Sequence, residues 1–329
     1  MRSFRKILVT GGAGFIGSEL TLLLLEKGFE VVVVDDLSKG DRMRLPEENA
    51  RFSFLHADLR VREEALRVLK NCDWVMHLAS QAYGVAYSSR NHSSAIILNE
   101  QINANVLEAI HKNRIGGMLA VSSSCVYSDD VPDCMTEDMG FLYEPESANW
   151  GYGWAKRMLE VGVRATAGDT GLDSVIVRPV NIYGASYGWY GINSHVIPSL
   201  VKKTLSGENP LLVWGDGKQA RSFMHVKDCA RALLELALKA PTGTVVNLGD
   251  ENAISINEIV EMIEELFIRK AQVKYDLERP VGRKIKSVSS VKFKEILPDF
   301  ETKISIREGL NEMGKWYERH DKLGSFLTH

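Results

Sequence analysis

A continuous apolar run, Lys6 to Thr10 (KILVT), passes straight into TGGAGFIG, where Gly11, Gly14 and Gly17 recur every third residue. A helical pattern through Leu20, Leu23 and Leu24 follows and ends at Gly28, and a second apolar run, Glu30 to Val34 (EVVVV), comes next. Strand, glycines, helix and strand within about 30 residues read as a βαβ unit. Its strands, apolar on both faces, need a parallel sheet covered on both sides. Glycine suits this turn for three reasons: the tight bend, close approach to a pyrophosphate, and contact between helix and strand. The helix N-terminus adds free N–H groups and the positive end of its dipole. Gly11, Gly14, Phe15, Ile16 and Gly17 are therefore expected to bind a dinucleotide.

Asp35 closes the second run, 18 residues beyond Gly17. A carboxylate there accepts hydrogen bonds from the ribose hydroxyls of NAD and repels the extra phosphate of NADP. Asp36 follows, with no arginine immediately after it, so NAD is the expected cofactor. Asp58 and Leu59 end a third strand and are expected near the adenine, although Asp58 could instead cap the next helix.

The alternation continues with a strand from Phe52 to His56 and a helix from Arg62 to Leu69. A strand from Trp74 to Leu78, a helix from about Ala95 to Lys112 and a strand from Met118 to Ser122 come after them. Strands alternating with helices predict an α/β fold, a Rossmann-type doubly wound parallel sheet. After about Gly188 the segments shorten and glycine and proline punctuate them often. The expected division is therefore residues 1–187 as the NAD-binding domain with the catalytic groups. Residues 188–329 would be mainly a smaller substrate-binding lobe over the carboxyl ends of the sheet, with some segments returning to the first domain.

Tyr152-Gly153-Trp154-Ala155-Lys156 puts a tyrosine and a lysine one helical turn apart on one face. A phenol with a pKa near 10 is a poor base at neutral pH, and an ammonium one turn away favours its ionised form. Ser122-Ser123-Ser124 falls at a strand end, where such sheets carry active groups, and a hydroxyl there can bond a substrate oxygen. A turn-capping role is the alternative for each serine.

TGGAGFIG, HLAS (His77 to Ser80), SSSCVY (Ser122 to Tyr127), YGWAK and RPVNIYG (Arg178 to Gly184) together resemble the extended short-chain dehydrogenase/reductase family over nearly the whole chain. WGDGKQARSFMHVKD (Trp214 to Asp228) resembles that family's nucleotide-sugar lobe. The resemblance implies a nucleoside-diphosphate sugar as substrate and an NAD that stays bound and is recycled. It implies Ser123, Tyr152 and Lys156 as the catalytic triad. Leu78, Ala79, Ser80 and Asn99 would serve the cofactor, and Asn181, Arg221 and Arg283 the diphosphate or nucleotide. The family's later aspartate is replaced near Ser289.

Cys125 narrows the reaction. Family dehydratases carry Thr-Asp-Glu where this chain has Ser123-Ser124-Cys125, which removes the usual agents of water elimination. SSSCVY is similar to a stretch of the GDP-mannose 3,5-epimerases and GDP-fucose synthases, in which the cysteine is an acid/base beside a C4 ketone. NSHVIP (Asn193 to Pro198) is similar to the fucose synthases and implies Asn193 at the substrate and His195 as second acid/base. Ser88 to Ser93 (SSRNHS) is closer to the 3,5-epimerases. The expectation is an epimerase that oxidises C4 transiently and inverts C3 and/or C5, on a GDP-hexose or GDP-heptose. A UDP- or GDP-sugar 4-epimerase and a 4-dehydrogenase releasing a keto sugar remain open, as does a non-catalytic NAD-binding regulator.

Composition bears on the remaining classes. Forty Lys and Arg against 43 Asp and Glu give a net charge of −3 in 329 residues, with no basic run to suit nucleic acid. Cys72, Cys125, Cys134 and Cys229 lack metal-ligand spacing, so no metal is expected and the thiols read as reduced. The N-terminus lacks a signal-peptide pattern, and Leu20 to Leu25 is too short to span a bilayer. A cytoplasmic location is the expectation. Apolar helices near Ile96 to Ile110 and Met158 to Val163 suggest a homodimer, or equally core packing.

Overall fold

The computed structural model describes residues 2–185, 189, 195–279 and 282–322. Two layers of helices enclose a seven-stranded parallel sheet. β1 (Lys6–Thr10), α1 (Phe15–Glu26), β2 (Glu30–Asp35), β3 (Phe52–His56), α2 (Arg62–Val68) and β4 (Trp74–His77) form the first half. A short α3 (Val85–Ser88), α4 (His92–Asn113), β5 (Gly117–Val121), a two-residue β6 (Cys134–Met135), α5 (Trp150–Thr170) and β7 (Asp173–Pro179) follow. Most boundaries match the sequence expectation within a residue; α4 begins one turn early, at His92.

The remaining chain contributes β8 (Asn181–Tyr183), α6 (Val196–Leu205), β9 (Leu211–Trp214), β10 (Ala220–Arg221), β11 (Phe223–His225) and α7 (Val226–Lys239). β12 (Thr244–Leu248), β13 (Ile254–Ser255), α8 (Ile256–Phe267), β14 (Val273–Asp276), β15 (Ile285–Val288), α9 (Val291–Ile296) and α10 (Ile306–Lys322) complete it. β12 pairs in parallel with β7 and is the seventh strand of the main sheet, while β6 pairs with β15. The chain thus crosses a 187/188 division in both directions. TVVNL (Thr244 to Leu248) is apolar enough to be covered on both faces although it closes one edge of the sheet, and Cys134–Met135 is a short edge of the smaller sheet.

The sheet order is β12-β7-β5-β4-β1-β2-β3. Strand order reverses between β1 and β4, and in open α/β sheets a crevice opens at the carboxyl ends of such strands. β1 shows how the strands are held. Ile7 and Val9 face the core shared with Leu20 and Leu24 of α1 and Leu233 of α7. Leu8, between them, faces Ile102 and Val106 of α4 and Leu159 of α5. All three are 0% exposed, and each contributes about 1.5–3 kcal/mol by burial. The lobe has its own core, in which Leu200, Ile259, Ile263, Leu310 and Met313 join α6, α8 and α10. No helix among the described residues is long and apolar enough to cross a membrane.

Beneath the carboxyl ends of β5 and β7 lies a buried polar knot. The Arg178 guanidinium donates to Glu160 at 2.8 and 2.7 Å, to the Tyr127 hydroxyl at 3.0 Å and to the Glu137 carbonyl at 2.7 Å. Ser122 Oγ donates to Glu160 at 2.6 Å, and Tyr127 donates to Asn247 of β12 at 2.6 Å. Against burial, Glu160 and Tyr127 hold the Arg178 pKa above its ordinary value. Removing one member of a buried pair strands the other. Glu160→Gln should therefore lower unfolding free energy by about 3–5 kcal/mol in urea titration. A loss under about 1 kcal/mol, the worth of an ordinary surface pair, would contradict this account.

Candidate active site

One cleft of about 700 Å³ runs along the carboxyl ends of the sheet and under the lobe. At its cofactor end, Gly11 has φ +69°, and a Cβ there would stand 2.8 Å from the Ala79 nitrogen. A Cβ on Gly17 would stand 2.1 Å from the Gly11 carbonyl oxygen, so only glycine lets α1 start this close to β1. No side chain caps α1 at Gly14, and Gly11, Gly14, Phe15, Ile16 and Gly17 line the cleft. That cradle fits a pyrophosphate.

Asp35 is 8% exposed, and its carboxylate accepts from the Ala13 nitrogen at 3.0 Å and the Leu37 nitrogen at 2.8 Å. Burial pushes its pKa up, and the two backbone N–H groups oppose that. Each oxygen keeps a lone pair for a further donor, such as a ribose hydroxyl. Asp36 also lines the cleft and lies 3.6 Å from Arg60. Asp58 and Leu59 line it too. Asp58 is not the cap of α2, since Val61 holds the N-cap; its carboxylate forks onto Arg60 at 2.7 and 2.8 Å.

Leu78, Ala79 and Ser80 follow β4 into the cleft wall. Asn99 lies behind that wall, 1% exposed, and is not among the lining residues. Its amide accepts from Ser80 Oγ at 2.8 Å and the Gln81 nitrogen at 2.9 Å, and donates to the Gln81 and Ala95 carbonyls at 3.1 and 2.7 Å. With its hydrogen-bonding capacity used in this way, Asn99 fixes the loop from behind the lining residues. His77, at the end of β4, is buried behind the wall: Asn103 Oδ1 lies 3.2 Å from Nε2 and Thr10 Oγ1 2.7 Å from Nδ1. Burial pushes the His77 pKa down to about 4, so the ring is neutral at pH 7.

The reacting centre forms where β5 meets α5. Ser122 belongs to the buried knot, whereas Ser123 lines the cleft and its Oγ accepts from the Cys125 nitrogen at 3.1 Å. A Cβ on Gly153 would stand 2.4 Å from the Cys125 carbonyl oxygen, and one on Gly151 2.3 Å from that of His92. The glycines flanking Tyr152 therefore let α5 press its first turn against both segments. Tyr152, Lys156 and Cys125 all line the cleft. Lys156 Nζ donates to the Val121 carbonyl at 2.9 Å and lies 5.5 Å from the Tyr152 ring centre. Burial lowers the Lys156 pKa to about 8, leaving it a cation at pH 7. Burial, with Cys125 adding to it, pushes the Tyr152 phenol up, and Ser80 bonds against the rise.

The lobe supplies the opposite wall. His195, N-cap of α6, lines the cleft, and burial beside Lys39 lowers its pKa to about 4. Asn193 lies outside the described residues. Asn181 lines the cleft and donates to the Ser222 carbonyl at 3.0 Å. Arg221 also lines it, in register with Lys286 on the neighbouring strand. Arg283 reaches the cleft but spends its guanidinium on the Ser128 and Val131 carbonyls, the latter at 2.6 Å. It clamps the loop after Tyr127, which weakens the expectation that it holds substrate.

Two residues that sequence reasoning missed stand in the same wall. Glu146 and Lys286 form an ion pair at 2.5 Å with both side chains 7% exposed, and Lys286 Nζ lies 3.7 Å from Cys125 Sγ. Glu146 sits in an unremarkable EPES stretch, and Lys286 alternates with Ile285 and Ser287 as any strand lysine would. Nothing local marked them.

The sequence pattern of the NAD dependent epimerase/dehydratase family matches residues 7–249. Over 325 residues the chain is 29% identical to the dTDP-4-dehydro-6-deoxy-D-allose reductase of Streptomyces bikiniensis, covering 97% of this chain and 98% of that one. It is 28% identical to GDP-mannose 3,5-epimerase 1 of Oryza sativa subsp. indica, over 94% of this chain and 81% of the relative. It is 27% identical to GDP-L-fucose synthase 1 of Arabidopsis thaliana, over 95% and 93%. Among solved structures, MoeE5 in complex with UDP-glucuronic acid and NAD superposes with a TM-score of 0.82 at 31% identity, over 95% of this chain and 99% of that one.

Asp35→Ala should weaken NAD binding roughly 10- to 150-fold, the worth of about 1.5–3 kcal/mol for hydrogen bonds to a charged group, while leaving NADP no weaker. Calorimetric titration with each cofactor reads this. Equal losses for both would mean that Asp35 only shapes the turn.

Proposed function

From the premise that this chain belongs to the NAD-dependent epimerase/dehydratase family, we propose that it epimerises a nucleoside-diphosphate sugar. In this reading C4 is oxidised transiently and C3 and/or C5 is inverted, on a GDP-hexose or GDP-heptose. The observation that carries the reading is Cys125, whose thiol shares one cleft wall with Ser123, Tyr152 and Lys156. A plain 4-epimerase needs no acid/base there; a C4 ketone, by contrast, acidifies the neighbouring carbons, and a cysteine is a competent acid/base for them.

Bound NAD supplies the hydride acceptor and donor at C4. The chain's own groups handle protons and position. Tyr152 takes the proton of the C4 hydroxyl, and the Lys156 cation favours the phenolate that does so. Ser123 hydrogen-bonds the same oxygen. Cys125 exchanges a proton with a carbon next to the ketone, and His195, neutral at pH 7, serves the opposite face of the ring. Arg221 suits the diphosphate because its planar fork bonds two oxygens. The recycled cofactor, a homodimer and a cytoplasmic location belong to the same reading. The allose reductase relative motivates a rival beside the 4-epimerase, a 4-keto reductase that consumes reduced cofactor.

Proton NMR in deuterium oxide, with GDP-mannose, other GDP-sugars and UDP-glucose and no added NAD, tests the reading. Deuterium should enter C3 or C5. Tyr152→Phe should abolish all turnover, whereas Cys125→Ala should spare oxidation at C4 and stop carbon-proton exchange. An epimer formed without deuterium would make the enzyme a 4-epimerase. Turnover only with added reduced cofactor would favour the reductase.

A further inference from the structure

Cys125 as an acid/base meets a difficulty. Burial pushes its thiol up to about 12, with Glu146 raising it further and Lys286 opposing, so the resting group is a thiol without a base to ionise it. The groups that face it come from four elements. Ser123 lies on its own turn, Tyr152 and Lys156 on α5, Glu146 on the segment before α5, and Lys286 on β15 with Arg221 of β10 beyond it.

Among these, the Glu146–Lys286 pair has no evident structural purpose. A buried ion pair stabilises no more than well-packed apolar side chains would. This one is nonetheless held firmly: the Glu146 carboxylate accepts from Asn149, and the Glu146 nitrogen donates to the Tyr127 carbonyl at 2.8 Å. Lys286 Nζ touches both possible anions, Glu146 Oε2 at 2.5 Å and Cys125 Sγ at 3.7 Å. One ammonium can stabilise a carboxylate or a thiolate there, and two anions would outnumber it. Like charges in such a site share protons instead of both ionising.

We propose that Glu146 and Lys286 are positioning residues for Cys125: carboxylate and thiolate compete for the one Lys286 ammonium, and Glu146, which holds it in the resting enzyme, keeps the sulfur protonated. As the acid, Cys125 gives its S–H proton to the carbanion carbon beside the ketone, and Lys286 becomes the counter-charge of the thiolate left behind. In the reverse direction the thiolate takes the proton from that carbon, which restores the thiol, and Lys286 returns to Glu146. The proposal rests on the reading of Cys125 as the acid/base of the epimerase.

The test is the rate of Cys125 alkylation by iodoacetamide in the full-length enzyme between pH 6 and 10, read by peptide mass so that exposed Cys134 does not interfere. Glu146→Gln removes the competitor for Lys286. It should lower the thiol pKa by about one unit, a roughly tenfold rise in thiolate at pH 7. Lys286→Met should slow alkylation, and the double variant should stay slow. Unchanged or slower alkylation at a fixed pH in Glu146→Gln overturns the proposal. So does faster alkylation in Lys286→Met, which keeps the question decidable if the first variant fails to fold. Carbon-proton exchange that persists in Cys125→Ala would instead sink the acid/base reading, leaving the alkylation rates to judge the competition for Lys286 separately.

Discussion

The fork between Arg178 and Glu160 fixes the height of the reacting groups. It joins β7 to α5 and, through Ser122 and Tyr127, reaches the end of β5 and Asn247 of β12. Ser123 and Cys125 follow Ser122 directly, while Tyr152 and Lys156 lie on the helix that carries Glu160. One desolvated ion pair, only 3% and 0% exposed at its side chains, therefore sets the spacing among the residues that would touch a substrate. Such a pair adds little net stability over apolar packing, and its value here is positional. The glycines around Tyr152 complete the arrangement by letting the helix start lie against the Cys125 turn.

Charge in the cleft is arranged with similar economy. The net charge of the chain is only −3, so no global field draws in an anion. Instead the N-terminus of α1 opens on the cofactor end, and Arg221 and Lys286 stand side by side on neighbouring lobe strands. Glu146 cancels Lys286 in the resting enzyme. His77 and His195 are both held neutral by burial, so neither adds positive charge for a diphosphate or competes with Lys156 for the phenolate.

Much of this was legible in the chain because local chemistry announces it. The glycine spacing, the apolar runs and Asp35 at a strand end each need one specific neighbour, and that neighbour is close in sequence. Tyr152 and Lys156 are marked by helical periodicity. What could not be read depends on contacts between distant segments. Thr244 to Leu248 gives no sign that it returns to the first sheet, since any buried strand would look the same. Arg283 fits a phosphate-binding pattern, yet its guanidinium turns back to carbonyls of the loop after Tyr127. Asn99 bonds the loop after β4 from behind the lining residues, a placement that needs the folded chain. Glu146 and Lys286, 140 residues apart, become a pair only once β15 lies beneath the cleft.

The central claim is a closed redox cycle, in which the hydride removed from C4 returns to the same sugar. GDP-mannose carrying deuterium at C4, incubated with enzyme and no added nucleotide, tests it directly by mass and NMR. The account predicts an epimer that keeps its deuterium at C4. Loss of that label, or a product formed only when reduced cofactor is supplied, would contradict it.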